Sequence, residues 1–74
     1  ESYSSKLLND PNLLSKKIGE ESTEVIIEIL NKDKKNLINE STDLLYHLMV
    51  SWVYLDINPS EIWNEFKNRE KKEI

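Results

Sequence analysis

The 74-residue chain has no cysteine, a single glycine, two prolines and no long uninterrupted apolar run. Without cysteine there are neither disulfides nor thiolate metal sites, and a reducing, intracellular setting is the expectation. No apolar stretch approaches the roughly 20 residues that a membrane span needs, and no basic-then-apolar signal segment opens the chain. A soluble, cytoplasmic protein with no membrane partner is therefore expected. The net charge is −4, with 14 acidic residues against 10 basic ones, which gives no general attraction for a nucleic-acid backbone. Nucleic acid is thus not an expected partner. The scarcity of glycine and proline, with no strand-like alternation, points to helices joined by short turns.

A chain this short is one domain at most, residues 1–74, and a core of that size yields only about 3–5 kcal/mol of net stability. With disulfides excluded, self-association or a hard-metal site must supplement it. The chain opens on Glu1 rather than methionine, which leaves a fragment, a processed form and one domain of a longer protein all open.

Four helical segments are expected. Ser2 to Leu8 form a short opening helix, and Asn9-Asp10-Pro11 reads as a turn with Asp10 as cap and Pro11 at the first helical position. The second helix runs from Pro11 to about Asn31. The Lys32-Asp33 turn offers Asp33 as cap for a third helix reaching about Leu55, and two long helices joined so briefly lie antiparallel. Asn58-Pro59-Ser60-Glu61 combines a capping side chain, a first-turn proline and a capping-box glutamate, starting a fourth helix whose Ile62, Trp63 and Phe66 can dock on the hairpin. The charged end, Lys67 to Ile74, is expected to fray. The fold class is therefore all-α: an antiparallel helical hairpin with short flanking helices.

Placed around each helix at about 100° per residue, the side chains sort into stripes. On the second helix Leu14, Ile18, Val25 and Ile29 form an apolar stripe, flanked by Lys17, Glu21, Glu24 and Glu28. The third helix carries apolar residues over most of its circumference, from Leu37 and Ile38 to Val53 and Leu55, and is expected to be buried. Its narrow polar stripe holds Asn36, Glu40, Asp43, His47 and Ser51, which would place carboxylates on the most enclosed element, where uncompensated charge is costly. The lone Gly19 interrupts a strong helical pattern at a cost of about 1 kcal/mol relative to alanine, so it marks either a close approach or simple tolerance.

The acids read E-x-x-E on one helix, fifteen intervening residues, then E-x-x-D on its antiparallel neighbour. Residues three apart share a helical face, so Glu21 with Glu24, and Glu40 with Asp43, can close on one ion. An oxygen-only donor set suits Mg²⁺, with Mn²⁺ as the alternative ion. A hard cation that grips phosphate oxygens and activates water is the minimal apparatus for hydrolysing a phosphoanhydride. Glutamates at such spacings also occur on solvated faces with no further role, and Glu28 is read that way. His47, one turn beyond Asp43, could contact substrate, orient a carboxylate or be a satisfied buried polar group. Trp52, Trp63, Tyr46 and Phe66 are read as core and interface.

Three strings carry a resemblance: Ser2-Tyr3-Ser4-Ser5-Lys6-Leu7-Leu8, Lys17-Ile18-Gly19-Glu20-Glu21-Ser22-Thr23-Glu24-Val25, and Asn39-Glu40-Ser41-Thr42-Asp43-Leu44-Leu45-Tyr46-His47-Leu48. Together they closely resemble the phosphoribosyl-ATP pyrophosphohydrolases of histidine biosynthesis, a branch of the all-alpha nucleoside-triphosphate pyrophosphohydrolases, and the similarity spans nearly the whole chain. The resemblance implies Mg²⁺-dependent cleavage between the α and β phosphates of phosphoribosyl-ATP, giving phosphoribosyl-AMP and pyrophosphate, in a homodimer whose paired hairpins form a helical bundle. It places metal ligands at Glu21, Glu24, Glu40 and Asp43, makes Glu20 and Glu24 candidates for activating water, and makes Lys6 and Lys17, with His47, candidates for substrate contact. It also implies that this domain can be fused to a cyclohydrolase. Serine and threonine at 22, 23, 41 and 42 stand where such proteins often have alanine. Two other readings compete: a related enzyme acting on another nucleoside triphosphate, and a non-catalytic helical dimerisation module.

Overall fold

A computed structural model describes residues 2–70, and among these every regular element is a helix: α1 Tyr3–Leu8, α2 Pro11–Asn31, α3 Lys34–Tyr54 and α4 Pro59–Glu70. The expected fraying concerned Lys67 to Ile74; α4 stays helical through Glu70, and residues 71–74 lie outside the described residues. Side-chain caps set the starts. Ser2 caps α1 by accepting from the Ser5 amide at 3.1 Å rather than joining the helix. Asp10 accepts from the Leu13 amide and Asp33 from the Asn36 amide, each satisfying a donor that the first turn leaves unpaired. At α4 the capping box closes as expected: the Ser60 amide donates to Asn58 Oδ1 at 2.9 Å, and the Asn58 amide to Glu61 Oε2 at 2.8 Å.

The two long helices end alike. Lys32 and Asp56 both take left-handed backbone conformations, φ 55° and 58°, and the residue after each turns its amide back to a carbonyl of the last turn, Asp33 to Glu28 and Ile57 to Trp52. This is the Schellman arrangement, here built on non-glycine residues. The one glycine lies instead inside α2, where a Cβ would meet no atom within 4 Å among the described residues. No close approach requires it within the protomer.

α2 and α3 form the expected antiparallel hairpin, and α1 lies against both. The core is small: Leu7, Leu14 and Val50 are buried, with Leu8, Leu13 and Ile18 packed around them. On the α2 stripe Leu14 is buried and Ile18 and Val25 are half-buried, while Ile29 is exposed.

The expectation of a buried α3 is not met within one protomer. Only His47 and Val50 of α3 are buried, while Ile38 is 57% and Leu55 68% exposed, and Leu45, Met49 and Val53 are exposed too. One hairpin partner and a six-residue α1 cover one side of the helix, and among the described residues only α4 also reaches it, at Trp52. The fourth helix adds little cover. Trp63 packs edge-on against Trp52 with ring centroids 6.4 Å apart, and it stacks on Phe66 at 5.9 Å, but both Trp63 and Phe66 remain more than half exposed.

Candidate functional site

Two helices bring the acids together. Glu21 projects from the middle of α2, and Glu40 and Asp43, three residues apart, project from the facing side of α3. One carboxylate oxygen from each of Glu21, Glu40 and Asp43 lies within 4.8 Å of the others. Glu24, the fourth expected ligand, does not join this group; its side chain is exposed one turn farther along α2. It remains close enough for its charge to act on Glu40. The acids are also less enclosed than the sequence pattern suggested, with Glu21 and Glu40 half-buried and Asp43 exposed.

Electrostatics single out Glu40. Its carboxyl is held above the usual carboxylate range, first by burial, then by hydrogen bonding to Glu21, and then by the charges of Glu21, Asp43 and Glu24. Burial and mutual repulsion both disfavour the anion, and a divalent cation among these oxygens would relieve both. Three carboxylates with no sulfur or imidazole donor fit a hard cation such as Mg²⁺ or Mn²⁺.

The remaining expected site residues fall into two groups. Lys17 pairs with Glu20 one turn on, Nζ to Oε1 at 3.1 Å. That partner, ahead of the more distant Tyr3 and Glu21, raises the Lys17 ammonium above its ordinary value. Glu20 is thus engaged by a cation on the exposed side of α2, beside the cluster rather than in it. Lys6 is exposed on α1. Three of the four hydroxyls at 22, 23, 41 and 42 have local partners: Ser22, Thr23 and Thr42 donate to the carbonyls of Ile18, Gly19 and Ile38 on their own helices.

His47 differs from all of these. It is 5% exposed, the one buried polar side chain among the described residues, and both ring nitrogens are occupied. Nδ1 lies 2.7 Å from the Asp43 carbonyl oxygen and Nε2 lies 2.8 Å from the Tyr3 hydroxyl. Both partners are protein groups, one on its own helix and one on α1. In the sequence Tyr3 stands out only as part of the Ser2-Tyr3-Ser4-Ser5-Lys6-Leu7-Leu8 string. Its contact with His47 joins residues 44 apart in sequence, and no local pattern signals such a pair.

The family model described as phosphoribosyl-ATP pyrophosphohydrolase matches residues 1–70. A phosphoribosyl-ATP pyrophosphatase of Gluconobacter oxydans is 44% identical over 70 residues, 93% of this chain and 53% of that protein. One from Sulfurisphaera tokodaii is 38% identical over 71 residues, 95% of this chain and 76% of that protein. A histidine biosynthesis bifunctional protein of Caldanaerobacter subterraneus is 47% identical over 57 residues, 77% of this chain and 28% of its own length. The chain spans about half the length of several of the curated relatives it matches, 53% and 44% for two of them. No solved structure matches it significantly. With the family model covering every described residue, the chain belongs to the phosphoribosyl-ATP pyrophosphohydrolase family.

Proposed function

We propose that this chain carries the Mg²⁺-dependent hydrolysis of phosphoribosyl-ATP to phosphoribosyl-AMP and pyrophosphate, in histidine biosynthesis and in the cytoplasm. The observation that carries the reading is the convergence of Glu21, Glu40 and Asp43 from two antiparallel helices, with ligand oxygens within 4.8 Å. Those three would hold the cation, which when bound supplies Lewis-acid stabilisation of phosphate oxygens and lowers the pKa of water. Glu24, set back from the trio, is the fourth carboxylate available to the site and, with Glu20, a candidate for taking a proton from the attacking water. Lys17 and Lys6 are the candidates for holding substrate phosphates by charge. For Lys17 this means leaving Glu20 for the substrate, which would free Glu20 as a base in the same movement.

The test is pyrophosphate release with phosphoribosyl-ATP and with ATP, each with and without Mg²⁺. Release from phosphoribosyl-ATP alone, and only with Mg²⁺, is the expected result. Release from ordinary triphosphates would point instead to another nucleotide substrate, and release from neither would leave a non-catalytic helical module. Because a ligand that binds only the native state raises stability by RT ln(1 + [L]/Kd), the melting temperature should also climb with Mg²⁺.

A homodimer belongs to the same proposal. Ile26, Ile27, Ile29 and Leu30 on α2 and Ile38, Leu45, Met49 and Val53 on α3 are exposed, a set of large apolar side chains of the kind that interaction surfaces carry. A second copy would give α3 the apolar neighbours that its own protomer lacks. Sedimentation at micromolar concentration should show a dimer, and a stably folded monomer there would refute it.

A further inference from the structure

We infer that Tyr3 is a positioning residue of the acidic centre, acting through His47 on the turn of α3 that presents Asp43. The inference rests on the reading of Glu21, Glu40 and Asp43 as a divalent-cation site. It starts from the direction of two hydrogen bonds. A carbonyl oxygen can only accept, so the 2.7 Å contact between His47 Nδ1 and the Asp43 carbonyl requires the proton on Nδ1. In the neutral ring Nε2 then carries a lone pair, and the Tyr3 hydroxyl at 2.8 Å must be the donor. The buried ring is thereby held in one tautomer and one orientation by a group on another helix.

The consequence falls on Asp43. Its carbonyl receives the imidazole N–H from within the helix, and a side chain that bonds into the backbone ladder tilts the peptide and fixes the local path of the helix. Asp43 and Glu40 share that stretch of α3, and their oxygens must stay within 4.8 Å of Glu21 for the trio to act together. With phenylalanine at position 3, Nε2 becomes a buried acceptor with no donor, a state that folded proteins avoid. The ring can then satisfy Nε2 only with a water admitted where the hydroxyl stood, which holds it less firmly, or by rotating, which gives up the bond to Asp43.

Packing does not replace this tie. Leu7 anchors α1 by apolar burial, which is non-directional and leaves the rotation of a short helix loosely set. Ser4, the neighbour of Tyr3, bonds to the Tyr46 hydroxyl and so fastens α1 to α3 with no hydrogen bond to the imidazole, although the Tyr46 ring packs edge-on against His47 at 5.1 Å and stacks on Tyr3 at 6.2 Å. The two ties therefore separate general docking of α1 from an effect transmitted by His47.

The experiment measures Mn²⁺ affinity by electron paramagnetic resonance on the full chain, for wild type, Tyr3→Phe and Ser4→Ala, together with the ¹⁵N spectrum of His47. The wild type should bind Mn²⁺ and show a neutral, Nδ1-protonated ring. Tyr3→Phe should bind Mn²⁺ at least about tenfold more weakly, the usual loss for an outer partner of a metal site, with the Nδ1-protonated signature lost. Ser4→Ala should keep both. Equal weakening in the two variants would reduce Tyr3 to ordinary docking and overturn the inference, as would unchanged affinity in Tyr3→Phe. A wild type that binds no Mn²⁺ would overturn the cation-site reading itself, and the inference with it. If Tyr3→Phe does not fold, the wild-type spectrum decides: a ring protonated at Nε2, or exchanging between tautomers, overturns the positioning role.

Discussion

Asp43→Asn should lower pyrophosphate release at least about a hundredfold while leaving the metal-free protein as stable as the wild type or slightly more so. The substitution keeps the size and shape of the side chain and removes one of three charges that converge within 4.8 Å. Weaker cation binding lowers the stabilisation available to charge that builds on the phosphate oxygens. A hundredfold corresponds to about 2.7 kcal/mol, at about 1.36 kcal/mol per factor of ten. The stability arm has the opposite sign. Asp43 is one of the charges that hold the Glu40 carboxyl above its ordinary range, so without the cation its removal relieves a repulsion. Had Asp43 instead held the fold through an ion pair with Lys17, the variant would melt lower, but Lys17 is paired with Glu20 at 3.1 Å. The two readouts are steady-state hydrolysis and melting in chelator. An active variant, or one that melts several degrees lower without metal, would show that Asp43 serves the fold and not the site.

The backbone of this site was legible before its surroundings were. Asp10, Pro11, Asp33 and Asn58-Pro59-Ser60-Glu61 mark helix starts by chemistry that is local to four residues, and α2 runs from Pro11 to Asn31 as that chemistry requires. The three-residue spacing of Glu40 and Asp43 likewise fixes a shared face without reference to anything distant. Burial does not follow from such local rules. An apolar circumference states that α3 needs cover on several sides, but periodicity does not say whether the cover lies in the same chain. Among the described residues that cover is missing over Ile38, Leu45, Met49 and Val53. Glu24 shows the same limit on a smaller scale: the E-x-x-E spacing places it on the face of Glu21, yet the meeting with α3 occurs at the level of Glu21. The tie between Tyr3 and His47 is beyond any pattern, since it depends on where α1 comes to rest.

Leu7→Ala should cost about 2–5 kcal/mol, the range for removing a buried leucine side chain, and lower the melting temperature by roughly 10 °C or more, since about 1 kcal/mol shifts a domain of this size by 4–8 °C. Leu7 is fully buried and is one of three residues in the core. The loss is large because a core of three has little with which to close a cavity. It also releases α1, and with α1 the Tyr3 hydroxyl from His47, so divalent-cation affinity should fall together with stability. The informative comparison is Leu30→Ala, which removes the same atoms from a position 76% exposed in the protomer. A side chain already in water contributes little to folding, so in a monomer this variant should melt within about 0.5 kcal/mol of wild type. If a second copy covers that end of α2, the same substitution should weaken the dimer, and its effect on melting should grow as the protein is diluted. Melting curves for both variants across a hundredfold range of concentration would separate the two sources of stability. A Leu7→Ala protein that melts like wild type would show that α1 is not held by this core. A Leu30→Ala effect that is small at every dilution would show that the apolar end of α2 stays uncovered.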